Sequence, residues 1–157
     1  MLELKTLLTA ERILLPLHAE TKEQAIRRLV AVLAETDSVS DAEQAVQAVL
    51  LREHTRTTGI GHALAIPHAK LPNLKRPAMA VGLASEPIID FDSVDGRPVS
   101  VVVLLLSPQG QTAQHIQALA RISRLLCVDA FRKRLLKAQS PDEAYRLICE
   151  EESSQVR

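Results

Sequence analysis

Tryptophan is absent from this 157-residue chain, and tyrosine and phenylalanine contribute only one and two residues. A core built from it must therefore be aliphatic. The surface has no aromatic faces on which bases or sugar rings would stack. Charge of one sign is missing too: nineteen basic residues balance nineteen acidic ones. That balance excludes the broad positive field on which non-specific nucleic-acid binding depends. Long apolar runs are lacking, and the longest, Val101 to Leu106, falls far short of the roughly 20 residues of a membrane-spanning helix. The start, M-L-E-L-K-T-L-L-T-A-E-R, has no basic segment followed by a continuous apolar stretch, so no signal peptide is expected. Cys127 and Cys149 stand alone without C-x-x-C spacing, which suits buried, reduced thiols and a cytoplasmic protein.

What is present suits one soluble domain. Hydrophobic residues make up 46% and charged residues 24%, ordinary values for a globular fold. A chain of this length can bury a core without disulfides or metal. We expect a single domain over 1–157, with a frayed polar tail from about Glu150.

Hydrophobic periodicity divides the chain into alternating helices and strands. Ile13-Leu14-Leu15 reads as a short strand. Thr21 and Gln24 have capping-box spacing ahead of Ile26, Leu29, Val30 and Leu33, which share a helical face. Ser40 and Glu43 repeat that spacing and open a second helix ending near Arg52. Leu64 to Ile66 and Ala78 to Ala84 read as strands, and Asp95-Gly96 as a turn between β-rich runs. Val99 to Leu106 is apolar at nearly every position, as a central strand covered on both faces must be. Thr112 can cap a helix carrying Ile116, Leu119, Ala120 and Ser123, and Asp129 starts another. Ser140-Pro141-Asp142-Glu143 is a cap, a first-turn proline and a box-closing glutamate. The expected class is α/β: a small mixed sheet with helices on both faces.

The most informative stretch is Thr57 to Lys70, T-T-G-I-G-H-A-L-A-I-P-H-A-K. A glycine-punctuated loop leads into a short apolar strand, which Pro67 is expected to end because proline lacks an amide hydrogen and fixes its φ. His68 is then presented rigidly at an exposed strand end among the small residues Ala63, Ala65 and Ala69. An imidazole there suits nucleophilic chemistry, being titratable near neutrality. Thr57, Thr58, Gly59 and Gly61 are expected to shape a pocket whose backbone amides receive an anion. His115 falls in the first turn of a helix, where the dipole disfavours imidazolium and favours phosphate. By residue type alone it equally suits a solvent-exposed position. Arg52, in a last helical turn, equally suits a dipole or solubility role. Glu53 is expected beside Arg52 and able to orient it. His54, His62 and His68 lie eight and six residues apart, which is not a zinc spacing, so no metal is expected. His54 and His62 read as solvent-facing, and His18 suggests no role. Neither Walker A nor G-x-G-x-x-G is present, so no nucleotide or other cofactor is expected.

The Gly-x-Gly segment leading through an apolar strand to Pro67-His68, with Arg52 before it and His115 after a Pro-x-x-Gln-Thr segment, resembles the fructose/mannitol-type enzyme IIA proteins of the bacterial phosphotransferase system. The resemblance covers nearly the whole chain. It implies that His68 carries a phosphoryl group, that His115 hydrogen-bonds this group, and that Arg52 neutralises its oxygens. It also implies an HPr-like phosphocarrier as donor, and an enzyme IIB or regulatory target proteins as recipients. The chain departs from the family pattern at His62, Ala63 and Ala69, where the family suggests Asn, Gly and Gly; these bear on partner specificity more than on chemistry. The length, the lack of a fused transporter or HPr domain and the T-G-I-G…A-I-P-H run are most similar to the nitrogen-regulatory branch. The alternative is a sugar-uptake component passing phosphate to enzyme IIB, and the remaining one a binding module that has lost transfer. An apolar ring of Ile60, Leu64 and Leu71 is expected around His68.

Overall fold

The structure is a computed structural model describing residues 2–36 and 38–156. Its frame is a six-stranded mixed sheet of β1 (Ile13–Leu17), β2 (Gly59–Gly61), β3 (Leu64–Ala65), β4 (His68–Leu71), β5 (Ala78–Ile88) and β6 (Val99–Pro108). The order is β1-β5-β6-β3-β2, with β4 also paired to β6. Helices α1 (Lys22–Glu35) and α2 (Ala42–Thr55) cover one face. Helices α3 (Thr112–Leu126), α4 (Asp129–Leu136) and α5 (Pro141–Val156) cover the other.

Strand β6 explains the two layers. Its residues Val101 to Ser107 are fully buried, and successive side chains point to opposite faces. Val101, Val103 and Leu105 join the cluster containing Ile122 and Phe131, whereas Val102, Leu104 and Leu106 join that of Ile26 and Val49. Each aliphatic side chain so buried contributes about 1.5–3 kcal/mol, so an unbroken apolar strand stabilises both layers at once.

Several expected boundaries shift, each for a local reason. Pro67 does not end its strand's path. β3 pairs with β6 at Leu64↔Val101 and Ala65↔Val102, and β4 resumes at His68↔Leu105 in unchanged register. The Leu105 amide donates to the Pro67 carbonyl at 3.1 Å, so the ladder needs no hydrogen from the proline itself. The α2 cap is Asp41, which accepts from the Gln44 amide at 3.1 Å, rather than Ser40. Glu43, expected to close that box, is engaged by Arg27 of α1 at 3.0 Å. α2 also continues past Arg52 to Thr55. At α3 the cap position falls on Gln111, with Thr112 as the first helical residue. β5 runs on to Ile88, opposite Val99 of β6, and Asp95-Gly96 lies inside the connection between them, with Gly96 at φ +73°.

The frayed tail is the largest correction. α5 continues through Val156, and Glu152 within it is buried. Its carboxylate accepts from the Leu4 amide at 2.6 Å, the Lys5 amide at 3.2 Å and Arg121 at 3.3 Å. Composition makes Glu150-Glu151-Glu152 look solvated, yet one of the three faces inward to satisfy the free amides of a 3-10 turn, Leu4–Thr6. The residue Arg157 lies outside the described residues. No helix among the described residues is long and apolar enough to cross a membrane.

Candidate active site

His68 opens β4 and, by the register, lies beside Leu105, with Lys70 beside Ser107. Alternation then places His68, Lys70, Leu105 and Ser107 on the α3 side of the sheet. The ring is half-buried, not fully exposed as the strand-end reading implied. Its Nδ1 lies 2.7 Å from the Ile66 carbonyl oxygen. A carbonyl only accepts, so Nδ1 is the protonated nitrogen and Nε2 keeps its lone pair. Burial pushes the imidazole pKa below its usual value, and the positive charge of Arg52 acts in the same sense; the Ile66 hydrogen bond and Glu53 oppose them. The neutral, nucleophilic form is therefore favoured at neutral pH.

His115 is the fourth residue of α3, and its ring centroid stands 5.3 Å from that of His68, tilted by 57°. It is buried, not solvent-exposed. Its Nδ1 lies 2.7 Å from the hydroxyl of Ser107. Burial is the main cause of a pKa lowered to about 4, and the charges of His68, Lys70 and Arg52 add to it. Both rings are thus neutral under ordinary conditions, and both are near cations.

Arg52 reaches the same place from the opposite helical layer, in the last turn of α2. Its Nη1 donates to the Arg56 carbonyl at 3.3 Å. Arg52, Thr57, Thr58 and His68 line one cleft of about 320 Å³, with Ile60, Val94 and Leu119 as apolar walls. Arg52 and His68 are therefore brought together, with His115 packed against the His68 ring.

Other expected residues take different places. Glu53 is buried and does not orient Arg52: it accepts from the Thr58 amide at 3.0 Å and the Thr58 hydroxyl at 2.6 Å. Thr57 donates its hydroxyl to the Phe91 carbonyl and accepts from the Gly59 amide. The amides of Thr58 and Gly59 are therefore used within the loop and do not form an open anion nest. Gly59 and Gly61 belong to β2. A Cβ on Gly59 would sit 2.7 Å from Ser93 Oγ, and Gly61 adopts φ +97°. They allow close approach and a turn, while Thr57 and Thr58 contribute the cleft wall. Leu64 and Leu71 are buried in the core, so the apolar rim is Ile60, Val94 and Leu119 instead. Among these, Val94 is 79% and Ile60 37% exposed, an apolar surface beside a polar centre.

Ser107 and Lys70 are site residues that sequence reasoning missed. Lys70 follows His68 by two in a strand, and Ser107 is a hydroxyl residue near the end of an apolar strand; period two was the available signal. His54 and His62 are exposed. No group of three His, Cys, Asp or Glu residues that could hold a metal ion occurs among the described residues.

Residues 6–151 match the family described as phosphoenolpyruvate-dependent sugar phosphotransferase system, EIIA 2. The chain is 41% identical over 143 residues to the nitrogen regulatory protein of Bradyrhizobium diazoefficiens, covering 90% of this chain and 92% of that protein. It is 35% identical over 147 residues to the PTS system fructose-specific EIIABC component of Bacillus subtilis, covering 94% of this chain but only 23% of that longer protein. Among solved structures, nitrogen regulatory protein IIA-Ntr from Neisseria meningitidis superposes with a TM-score of 0.86 at 26% identity, covering 92% of this chain and 98% of that one. The enzyme IIA mannitol of Escherichia coli, in complex with phosphorylated enzyme IIB mannitol, superposes with a TM-score of 0.73 at 26% identity, covering 91% and 97%.

Proposed function

The chain belongs to the phosphotransferase-system EIIA 2 family, and from that premise we propose that it is a cytoplasmic phosphocarrier that accepts a phosphoryl group on Nε2 of His68 from an HPr-like carrier. The observation that carries this reading is the 2.7 Å bond from His68 Nδ1 to the Ile66 carbonyl. It leaves Nε2 as the free nitrogen of a ring lining the cleft shared with Arg52. The Nε2 lone pair attacks the donor's phosphorus; the new N–P bond forms as the donor's P–N bond breaks, and that electron pair returns to the donor ring. Nδ1 keeps its proton, and the Ile66 carbonyl stabilises the positive charge that develops on the imidazole. Arg52 offers a guanidinium to the phosphoryl oxygens, and His115 a ring N–H. Thr57 and Thr58 wall the cleft, whose apolar rim suits the face of a second protein.

Two uses of the phosphorylated form follow from the relatives. The higher identity to a nitrogen regulatory protein favours control of target proteins by phosphorylation state. Identity to a fructose-specific component favours onward transfer to an enzyme IIB. A phosphoryl group adds nearly two negative charges to the rim, so a target docking there prefers the unphosphorylated protein.

Incubation with phosphoenolpyruvate, enzyme I and an HPr-like carrier should add one acid-labile phosphoryl group at His68, and His68→Ala should abolish it. Label that persists in this variant, or that maps to His115, overturns the assignment. For the two uses, partner affinity for wild type and His68→Asp is measured beside transfer to purified enzyme IIB candidates. A loss of at least about tenfold with the aspartate supports regulation; equal affinity with rapid onward transfer supports sugar uptake.

A further inference from the structure

Ser107 lies one residue from the end of β6 and is fully buried. Its hydroxyl has one described hydrogen-bond partner, Nδ1 of His115 at 2.7 Å. A hydroxyl and a neutral imidazole nitrogen can share such a bond in either direction. The directions differ sharply in what they leave behind. If Nδ1 carried the hydrogen, the serine hydrogen would be sealed in the core without an acceptor among the described residues, which is costly for a buried group. If the serine donates, its hydrogen is used, and only an oxygen lone pair is left over.

We propose that Ser107 is a positioning residue that donates to Nδ1 of His115 and thereby holds its ring as the Nε2–H tautomer, a fixed hydrogen-bond donor at the phosphoryl site. The inference rests on the reading of His68 as phosphoacceptor. It makes the paired histidines opposites. The Ile66 carbonyl holds the proton of His68 on Nδ1 and frees Nε2 to attack. Ser107 removes the proton from Nδ1 of His115 and leaves it on Nε2 to receive charge. Two rings 5.3 Å apart thus take different roles because one is fixed by an acceptor and the other by a donor. Burial first, and then the charges of His68, Lys70 and Arg52, disfavour the doubly protonated ring, so the ring is neutral and the hydroxyl selects between its two tautomers.

The first measurement uses unphosphorylated wild-type protein labelled with ¹⁵N-histidine, with His115→Gln to assign its signals. Nitrogen shifts should show His115 bare at Nδ1 and protonated at Nε2, with His68 the reverse. A proton on Nδ1 of His115 overturns the proposal, whatever the outcome of phosphotransfer. The second measurement follows transfer from the HPr-like carrier. Ser107→Ala should mix the His115 tautomers and slow transfer about tenfold, Ser107→Thr should restore both, and in a His115→Ala background Ser107→Ala should cost nothing further. An equal slowing in that background would show that Ser107 does not act through His115. Should Ser107→Ala fail to fold, the wild-type shifts and the threonine variant still decide. Absence of label on His68 refutes the phosphoacceptor reading alone, because the tautomer is read without transfer.

Discussion

Burial of the neutral His115 ring makes stability depend on pH in a direction that can be worked out. Its pKa is held near 4 in the folded protein, against about 6.5 in an unfolded chain. Between those values the unfolded chain binds a proton at this ring and the folded one does not. Stability is therefore intact above pH 6.5 and falls as pH drops, by up to about 1.4 kcal/mol per unit, until the folded ring also charges near pH 4. At pH 4.5 this single group should cost about 2.5 kcal/mol, a large part of the 5–15 kcal/mol typical of a domain. Other carboxylates and histidines titrate in the same range, so the measurement is a difference. Urea unfolding of wild type and His115→Gln is compared at pH 7.5 and 4.5. Gln lacks a titrating ring, so its stability relative to wild type should rise by about 2.5 kcal/mol on acidification. A change below about 1 kcal/mol would mean that the ring charges easily in place, and would refute both its desolvation and the neutral-donor role built on it.

Three other perturbations follow from the geometry. Arg52→Ala should leave the fold intact and slow phosphoryl transfer by about 10²-fold; a wild-type rate would reduce Arg52 to a helix-terminal charge. Glu152→Ala strands the Leu4 and Lys5 amides and part-buried Arg121, so it should cost about 3–5 kcal/mol, seen as a fall of roughly 10 °C in the thermal midpoint; an unchanged midpoint would restore the frayed-tail reading. Ala63 sits at φ +60°, a conformation costing an L-residue about 1 kcal/mol, so Ala63→Gly should raise stability by a few tenths of a kcal/mol after the added unfolded-state entropy is counted; destabilisation in chemical melts would show that its methyl packs usefully.

Local rules were legible wherever one segment contained the whole cause. The Thr21 cap accepting from Gln24, the Ser140 cap accepting from Glu143, and the doubly covered β6 all follow from patterns of a few residues. The Pro67-His68 step drew attention to His68 for the same reason, whereas Arg52 and His115, on separate segments, were suggested by the family resemblance. Failures came where two segments compete for one group. Glu43 left its expected box for Arg27, Glu53 turned inward to Thr58 instead of toward Arg52, and Glu152 left the solvent for the amides of Leu4 and Lys5. Each is a carboxylate whose best donor lies elsewhere in space, and composition alone assigns a carboxylate to water.

By itself, then, the amino-acid sequence determined the alternation of helices and strands and the aliphatic two-sided core. Periodicity and turn chemistry act over short range and need no partner to be read. Only the tertiary structure decided which nitrogen of His68 is free, that His115 is buried against Ser107, and that the apolar rim is Ile60, Val94 and Leu119. Those outcomes depend on hydrogen-bond direction and on burial. Both are set by what packs across the sheet from segments distant in the chain, so the protonation pattern that enables the chemistry exists only once the layers have closed.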